Sequence, residues 1–277
     1  MSLIVTSAEG AIPVEAASWH NMAALVPLEP FNTQVRPFLI DARSPSGERQ
    51  RWVLKPYSRL GAVGSVCELV AARYYRMVGL RVPPFGIINV SDSLVRKLPP
   101  EARARLATDI GPNFGSMFLP GHDDIKAPQD VPSQEIEEAA GVFSCDVALD
   151  NPDRRDGKSN LLLGDDGVVA IDHQSAFSWY LDVLKPGPTW EQGMLARATA
   201  RHFLRSLVTR CGATLQDMTA KLGATPGTAW TELTANVPQR WLADGGAALI
   251  LEVDQFLADL RQQLPTILQS IRTTVLR

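Results

Sequence analysis

A polar loop and two apolar runs after it carry three side chains with oxygen atoms suited to phosphate chemistry. Asp153 and Asn160 lie in the loop, which proline and glycine interrupt, and Asp172 follows the second apolar run, after a Gly-Asp-Asp-Gly turn at 164–167. This pattern predicts a β-hairpin. Because antiparallel strands joined by a short turn bring their outer ends together, Asn160 and Asp172 should lie close to each other.

Carboxylate and amide oxygens that converge on one point suit magnesium, which protein sites usually share with phosphate oxygens. The loop and hairpin are therefore a candidate centre for phosphoryl transfer. A simpler alternative stays open from these residues alone. Aspartates are common in hairpin turns, and an aspartate at the end of a strand is often only a turn former.

The elements upstream supply a lysine and a glutamate. Residues 37–43 and 50–55 predict two strands around a turn, and the second strand ends at Lys55. Residues 65–68 have a capping-box pattern that includes Glu68 and predicts a helix ending at Gly79. In kinases a strand lysine holds the α- and β-phosphates and pairs with a helix glutamate. The alternatives are an exposed strand-end lysine and a glutamate that only caps its helix.

Three sequence elements together resemble a known family, and they are Asp153-Arg154, Asn160 and Ile171-Asp172-His173. Their order is similar to the catalytic loop and metal-binding aspartate of the HipA-like kinases, distant relatives of protein kinases and phosphatidylinositol kinases. The narrower resemblance is to the compact bacterial HipA-like kinase-domain proteins. It extends over residues 68–84, with Glu-Leu-Val-Ala-Ala-Arg and Gly-Leu-Arg-Val-Pro-Pro, and includes Phe-Gly-Ser at 114–116.

The resemblance implies an α+β, bilobal protein-kinase-like fold with a small β-rich N-lobe and a mostly helical C-lobe. We predict the N-lobe at residues 1–120, with the nucleotide-binding sheet and one helix, and the C-lobe at residues 121–277. The implied cofactors are ATP and Mg²⁺. The implied reaction is transfer of the γ-phosphoryl group to a hydroxyl, and family analogy alone puts a protein serine or threonine first among the acceptors.

The resemblance also implies roles for the nucleotide-binding residues. Asn160 and Asp172 would bind the magnesium that bridges the phosphates of ATP, while Lys55 would steady the phosphates with Glu68 behind it. No Gly-x-Gly-x-x-Gly lies on the first hairpin, where protein kinases cover the phosphates. Residues 32–34 and residues 61–65 are the alternatives, and a plain turn is the simpler interpretation of 61–65. Residues 114–116 are a candidate part of the adenine-binding hinge.

The catalytic residues implied by the resemblance are Asp153 and Arg154. Asp153 would orient or deprotonate the attacking hydroxyl, and Arg154 would hold the loop or counter phosphate charge. Asp153 and Asn160 are seven positions apart, a longer spacing than in the loop of protein kinases. Asp156 is closer to Asn160 and is an alternative base, whereas the narrower bacterial family tolerates the longer loop, which favours Asp153.

Helical patterns dominate the second half of the sequence. Ser133 is predicted to cap a helix that runs to residue 149, directly before the Asp153 loop. Further helices are predicted at 189–210, opened by a capping box at 189–192, and at 214–222, 226–236 and 246–276, the last with a break at Pro265.

The composition excludes several classes of protein. The chain has 277 residues, is 45% hydrophobic and 21% charged, and has a formal net charge of −3, which is typical of a globular protein with no general attraction to nucleic acid. The spacing of its cysteines predicts neither disulfides nor a zinc site: Cys67, Cys145 and Cys211. The sequence shows neither a signal peptide nor an apolar run long enough for a membrane span, so we expect a cytoplasmic protein.

Two other functions stay open from the sequence. The first is a nucleotide-binding pseudokinase that is weakly active or inactive, because the phosphate loop is degenerate. The second is a regulatory or toxin-antitoxin-type module restrained by a small antitoxin-like partner, as HipA relatives often are. In that case the partner would bind DNA, since this chain alone is not expected to do so.

Overall fold

A computed structural model describes residues 22–30, 36–44, 46–181, 195–211 and 225–275. Several predictions lie outside the described residues, namely the possible phosphate segment at 32–34, the capping box at 189–192 and the helix at 214–222.

Five strands close into a barrel: β1 (Met22–Pro30), β2 (Phe38–Arg43), β3 (Arg49–Lys55), β4 (Phe85–Val90) and β5 (Gly111–Met117). Their order is β1-β2-β3-β5-β4, and a parallel contact between β1 and β4 closes the ring. The predicted hairpin is confirmed as β2 and β3, with Phe38 opposite Leu54. Alternate side chains fill the interior, among them Ile40 and Trp52, so the barrel has its own apolar core. The closed barrel itself was not predicted.

The helix after β3, α1 (Tyr57–Met77), begins earlier than predicted. The capping-box prediction is wrong, because Ser65 and Glu68 lie well inside α1. The first N–H groups of α1 are bound by residues distant in sequence: Tyr57 N–H donates to Asn113 Oδ1 at 2.8 Å, and Ser58 N–H donates to Asp109 Oδ1 at 2.7 Å. The cap is therefore tertiary, and no local motif could have indicated it.

Gly61 interrupts α1 with φ 64° and ψ −175°, a conformation that essentially only glycine adopts. The helical segment after Gly61 delivers Glu68 to the interior of the protein. The predicted C-terminal end is confirmed, since α1 ends at Met77 and Gly79 has φ 82°.

A second sheet, of order β6-β7-β8, contains β6 (Asp123–Asp124), β7 (Leu161–Gly164) and β8 (Gly167–Ala170). The strands β7 and β8 confirm the predicted hairpin, with Leu161 opposite Ala170. The other helices are α2 (Asp92–Lys97), α3 (Pro100–Leu106), α4 (Ile136–Ala148), α5 (Ser178–Leu181), α6 (Leu195–Ala200), α7 (Arg205–Cys211), α8 (Gly227–Thr231), α9 (Gln239–Trp241) and α10 (Ala247–Val275).

The helix α10 continues through Pro265, so the predicted break there is wrong. Pro265 is exposed, while Leu264, Ile267 and Leu268 around it are buried in the main core. Packing on both sides of the proline keeps the helix continuous despite the missing N–H.

The main core combines buried residues of α1, α4 and α10, whereas the barrel interior forms a separate cluster. The helix α1 therefore lies between barrel strands β3 and β4 in sequence but shares its core with the helical half. Within the described ranges, no helix combines the length and apolar character that a membrane span requires.

Candidate functional site

Lys55, Glu68 and Asp172 meet in one ion-pair cluster. Lys55 Nζ lies 2.9 Å from Glu68 Oε2 and 2.8 Å from Asp172 Oδ1. The three side chains come from the end of β3, the interior of α1 and the segment after β8. The side chains of Lys55 and Glu68 are nearly buried, whereas that of Asp172 is 21% exposed. Asp172 is therefore the most exposed member of the cluster.

The carboxylates of Glu68 and Asp172 share the ammonium group of Lys55, but the pKa values of the two acids shift in opposite directions. Burial favours the neutral amine, but Asp172 and Glu68 together raise the pKa of Lys55 above its usual value. Burial also favours the protonated acid at Asp172, yet the ammonium groups of Lys55 and Lys158 hold the pKa of Asp172 at about 2. The pKa of Glu68 is raised, because burial outweighs its attraction to Lys55. Asp172 is thus the more acidic of the two carboxyl groups.

The hairpin brings Asn160 and Asp172 to neighbouring positions beyond its outer ends. Ile171 N–H donates to the carbonyl of Asn160 at 3.0 Å, which extends the β7–β8 pairing by one step. Asn160 and Asp172 have φ 49° and φ 60°, in the left-handed region that non-glycine residues rarely adopt. Such strained conformations cluster at functional sites, where the surrounding structure imposes them.

A second lysine, which the sequence analysis did not identify, joins the loop to this cluster. Lys158 Nζ forms an ion pair with Asp153 Oδ2 and lies 3.6 Å from Asp172 Oδ2. Asn160 Nδ2 is 3.5 Å from the same oxygen of Asp153, at the limit of a hydrogen bond. The structure therefore brings together Asp153, Asn160 and Asp172, and it adds Lys158 between the two carboxylates. Asp156, the alternative base, is exposed.

Arg154 lies inside the protein. Its side chain is fully buried, and Nε donates to Asp146 Oδ2 at 2.6 Å. Its Nη1 donates to the carbonyl of Ser159 at 2.9 Å and also contacts the carbonyl of Asn160. Of the two roles considered for Arg154, holding the loop fits this geometry, because a buried guanidinium cannot reach phosphate in solvent.

Asp146 on α4 organises the loop, and the sequence analysis missed it. Its carboxylate accepts hydrogen bonds from Tyr75 at 2.6 Å and Asn151 at 2.7 Å, and it lies 3.0 Å from His202 Nε2. Despite burial, Arg154 and His202 hold the pKa of Asp146 well below its usual range. Its position within an otherwise apolar helix face could have indicated its importance, because a buried aspartate requires hydrogen-bond donors or an opposite charge.

His173, beside Asp172, is buried in its neutral form. Neither ring nitrogen has a hydrogen-bond partner among the residues that the structure describes, and the ring lies 4.4 Å from that of Tyr75. Burial, assisted by the positive charge of Arg154, lowers the pKa of His173 to about 3. The ring therefore does not serve as a proton carrier near neutral pH.

The candidate adenine hinge lies within the barrel wall. Phe114, Gly115 and Ser116 in β5 pair with β3 on one side and with β4 on the other. A Cβ on Gly115 would lie 2.1 Å from Ile88 Cδ1, so any larger residue would require the buried Ile88 side chain to move. The backbone of these residues is therefore occupied by neighbouring strands.

The donors around Asp172 fit a magnesium ion that phosphate oxygens complete. Asp172 offers a carboxylate and Asn160 offers an amide, and both groups have hard oxygen atoms. The position beside Asp172 Oδ2 also accommodates positive charge, because the Lys158 ammonium lies there. In the described part of the chain, no three His, Cys, Asp or Glu side chains gather as a metal site. A magnesium ion with few protein ligands is typical of nucleotide sites, where substrate phosphates supply the rest.

The sequence of this chain matches the sequence model of the HipA-like kinase family over residues 33–270. This chain belongs to the HipA-like kinase family. The predicted family is thus confirmed, and this chain is a kinase-like protein of mixed α/β structure. No curated protein matches the chain. Among solved structures, it is similar to the MAP kinase LmaMPK10 from Leishmania major, with 11% identity over 91% of this chain and 82% of that chain and a TM-score of 0.33.

Replacing Asp146 by asparagine should destabilise the folded protein strongly. The variant leaves the Arg154 guanidinium buried without its counter-charge, so the free energy of unfolding should fall by about 3–5 kcal/mol. Urea denaturation followed by circular dichroism measures the loss. Asp165→Asn, at an exposed position in the hairpin turn, is the matched control and should change stability by less than about 0.5 kcal/mol. A similarly small loss for Asp146→Asn would contradict a central role for the ion pair.

His173 should make stability fall on acidification. The unfolded chain protonates this ring near pH 6.5, whereas the folded protein does so only at a pKa of about 3. Between these values the unfolded state binds more protons, so His173 lowers the free energy of unfolding as the pH falls.

His173→Phe removes this proton linkage. Relative to wild type, the variant should gain about 1.4 kcal/mol for each pH unit between about pH 6 and the folded pKa of about 3. Parallel urea titrations at several pH values measure the difference. A difference that does not change with pH would show that His173 titrates alike in both states.

Proposed function

We propose that this chain is a magnesium-dependent kinase that transfers the γ-phosphoryl group of ATP to a hydroxyl, with a protein serine or threonine as the first candidate acceptor. The observation that carries the proposal is the Lys55 ammonium between Glu68 and Asp172, at 2.9 Å and 2.8 Å. A strand lysine fixed by a helix glutamate is the arrangement with which kinases hold the phosphates of ATP. Membership of the HipA-like kinase family supports the same chemistry.

Asp172 and Asn160 would hold the magnesium ion, and Lys55 would bind phosphate oxygens beside it. The bound ion would neutralise charge on the phosphates during transfer. Asp172 suits this position because its carboxylate stays ionised, with a pKa of about 2, and is partly exposed. Glu68 fixes Lys55 from behind, within α1, so that the ammonium does not have to be ordered when the nucleotide binds.

Asp153 would orient the acceptor hydroxyl or accept its proton. It lies within the same ion-pair cluster as Asp172, joined through Lys158, whereas Asp156 is exposed. Arg154 would act indirectly: its contacts with the carbonyls of Ser159 and Asn160 set the path of the loop. Catalysis of this kind depends mainly on position and charge, which a rigid loop provides.

We further propose a bilobal organisation with residues 1–120 and 121–277 as the two lobes. All five barrel strands precede the boundary, and helices α4 to α10 follow it. The nucleotide would lie between them, where Lys55 from the barrel meets Asp172. Because β5 is paired on both edges, the adenine would contact the chain after Met117 rather than residues 114–116.

A pseudokinase is the second candidate. The observation that favours it is the engagement of Asp153 by Lys158, which occupies an oxygen atom of the proposed base. Such a protein would bind ATP with magnesium without turnover. In that case, the chain would act as a regulatory or toxin-antitoxin-type module restrained by a small antitoxin-like partner.

Nucleotide binding is tested by thermal-shift titrations with ATP, with and without magnesium, on wild type and on Asp172→Asn. At about 100 times the dissociation constant, ligand binding adds about 2.7 kcal/mol of stability, so wild type should gain roughly 5 °C in the presence of magnesium. Asp172→Asn should lose the magnesium-dependent part of the gain, each protein being compared with its own nucleotide-free melting temperature. Equal magnesium-dependent gains in both proteins would exclude a metal role for Asp172.

Catalysis is tested by comparing Asp153→Asn with Asp156→Asn, two isosteric changes in one loop. If Asp153 is the base, Asp153→Asn should reduce phosphoryl transfer by about 10²–10⁴-fold while ATP binding persists. Asp156→Asn should stay near wild type. Transfer of label from γ-labelled ATP to the chain, to added protein and to water measures the rate. A large loss only in Asp156→Asn would assign the base to Asp156, and no transfer in wild type would favour the pseudokinase.

A further inference from the structure

Each oxygen of the Asp172 carboxylate faces a different ammonium group. Oδ1 lies 2.8 Å from Lys55 Nζ, and Oδ2 lies 3.6 Å from Lys158 Nζ. Lys55 belongs to the nucleotide-binding arrangement proposed above. Lys158 has no place in that arrangement, although its ammonium also forms an ion pair with Asp153 Oδ2.

The charges of the cluster suit a divalent cation better when the Lys158 ammonium is absent. Two ammonium groups, Lys55 and Lys158, face the three carboxylates of Glu68, Asp153 and Asp172. Ionised together, these groups leave one unbalanced negative charge. Without the Lys158 ammonium the cluster would carry two, the complement of a magnesium ion. A divalent cation beside Asp172 Oδ2 would also meet strong repulsion from an ammonium group at the same oxygen.

We propose that Lys158 is an internal counter-ion that occupies the metal position of the site when no metal is bound. A divalent cation at Asp172 then has to displace the Lys158 ammonium. The inference rests on the proposed function only in that it takes Asp172 as a metal ligand. It adds a residue that sets the affinity for the metal and that links metal binding to the state of Asp153.

The two lysines differ in their freedom to leave. The Lys55 side chain is 10% exposed and is held by two carboxylates, while the Lys158 side chain is 32% exposed and lies in the polar loop. The backbone of Lys158 is anchored separately, by reciprocal hydrogen bonds with Arg155 at 3.0 Å and 2.8 Å. The ammonium can therefore swing into solvent while the loop keeps its shape, because only side-chain torsions have to change.

Displacement of Lys158 would also change Asp153. In the structure, Asp153 Oδ2 accepts a hydrogen bond from Lys158 Nζ. An oxygen atom in an ion pair with an ammonium group is poorly placed to accept a proton from an acceptor hydroxyl. Metal binding would release this oxygen, so the base would become available only when the metal position is filled. This coupling would suppress premature chemistry at Asp153.

The test is the affinity for Mn²⁺, used alone without nucleotide, measured from the electron paramagnetic resonance signal of free Mn²⁺. Lys158→Met keeps the length of the side chain but removes its charge, so it should bind Mn²⁺ about tenfold more tightly than wild type. Lys158→Arg keeps the charge and should bind no more tightly than wild type. Lys97→Met removes the same charge from an exposed position on α2 and is the matched control.

Tighter binding by Lys158→Met alone, abolished when Asp172→Asn is added, would support the proposal. Equal or weaker binding by Lys158→Met would overturn it, and so would tight binding that survives Asp172→Asn, because the metal would then lie elsewhere. The result is separate from the proposed function. If ATP raises the melting temperature of wild type in a magnesium-dependent way, but wild type and Lys158→Met bind Mn²⁺ equally, only the role of Lys158 is rejected. If Lys158→Met binds Mn²⁺ more tightly but ATP does not raise the melting temperature of wild type, only the nucleotide site is rejected.

Discussion

The buried ion pair between Asp146 and Arg154 is the constraint on which the candidate site depends. Neither side chain has any exposed surface, and isolated charges in such surroundings are very costly. The structure meets this cost by surrounding Asp146 with donors from three regions: Tyr75 of α1, Asn151 and Arg154 of the loop, and His202 between α6 and α7. Helices distant in sequence are thereby tied to one carboxylate.

The same ion pair determines where the loop ends. Because Arg154 also binds the carbonyls of Ser159 and Asn160, the loop has to turn back on itself before β7 begins. Asn160 and Asp172 then take left-handed backbone conformations, which direct the chain out of the regular hairpin. Backbone strain is tolerated there because the neighbouring contacts over-determine the path. Rigid placement of oxygen donors is what the proposed magnesium site would require, because it would have few protein ligands.

Patterns local in sequence predicted the parts of the fold that local forces determine. Short apolar or β-rich runs on either side of a turn indicated the hairpins β2–β3 and β7–β8, and Gly79 marked the end of α1. Three features depend on contacts between distant residues, and the sequence around each residue did not indicate its partner. These are the closure of the barrel through β1 and β4, the cap of α1 by Asn113 and Asp109, and the burial of Arg154 against Asp146. At Pro265 the tertiary packing outweighed the local preference for a break.

The site residues divide in the same way. The family resemblance indicated six residues: Lys55, Glu68, Asp153, Arg154, Asn160 and Asp172. Lys55 and Glu68 are thirteen positions apart, and the fold brings both to one ion-pair cluster with Asp172, more than a hundred positions away. The resemblance did not indicate Lys158, because its meaning depends on distances rather than order.

Asp172 needs positive charge on both of its oxygen atoms while it waits for a ligand, since a partly buried carboxylate is costly without partners. Lys55 is confined by a second carboxylate and can remain when a nucleotide binds, whereas Lys158 is attached to an accessible loop and can depart. With a permanent cation on one oxygen and an exchangeable cation on the other, Asp172 would keep a positive charge beside each of its oxygen atoms before and after metal binding. The carboxylates of the loop would thus stay paired with ammonium groups in the absence of metal, and Asp172 would still be able to bind a divalent cation.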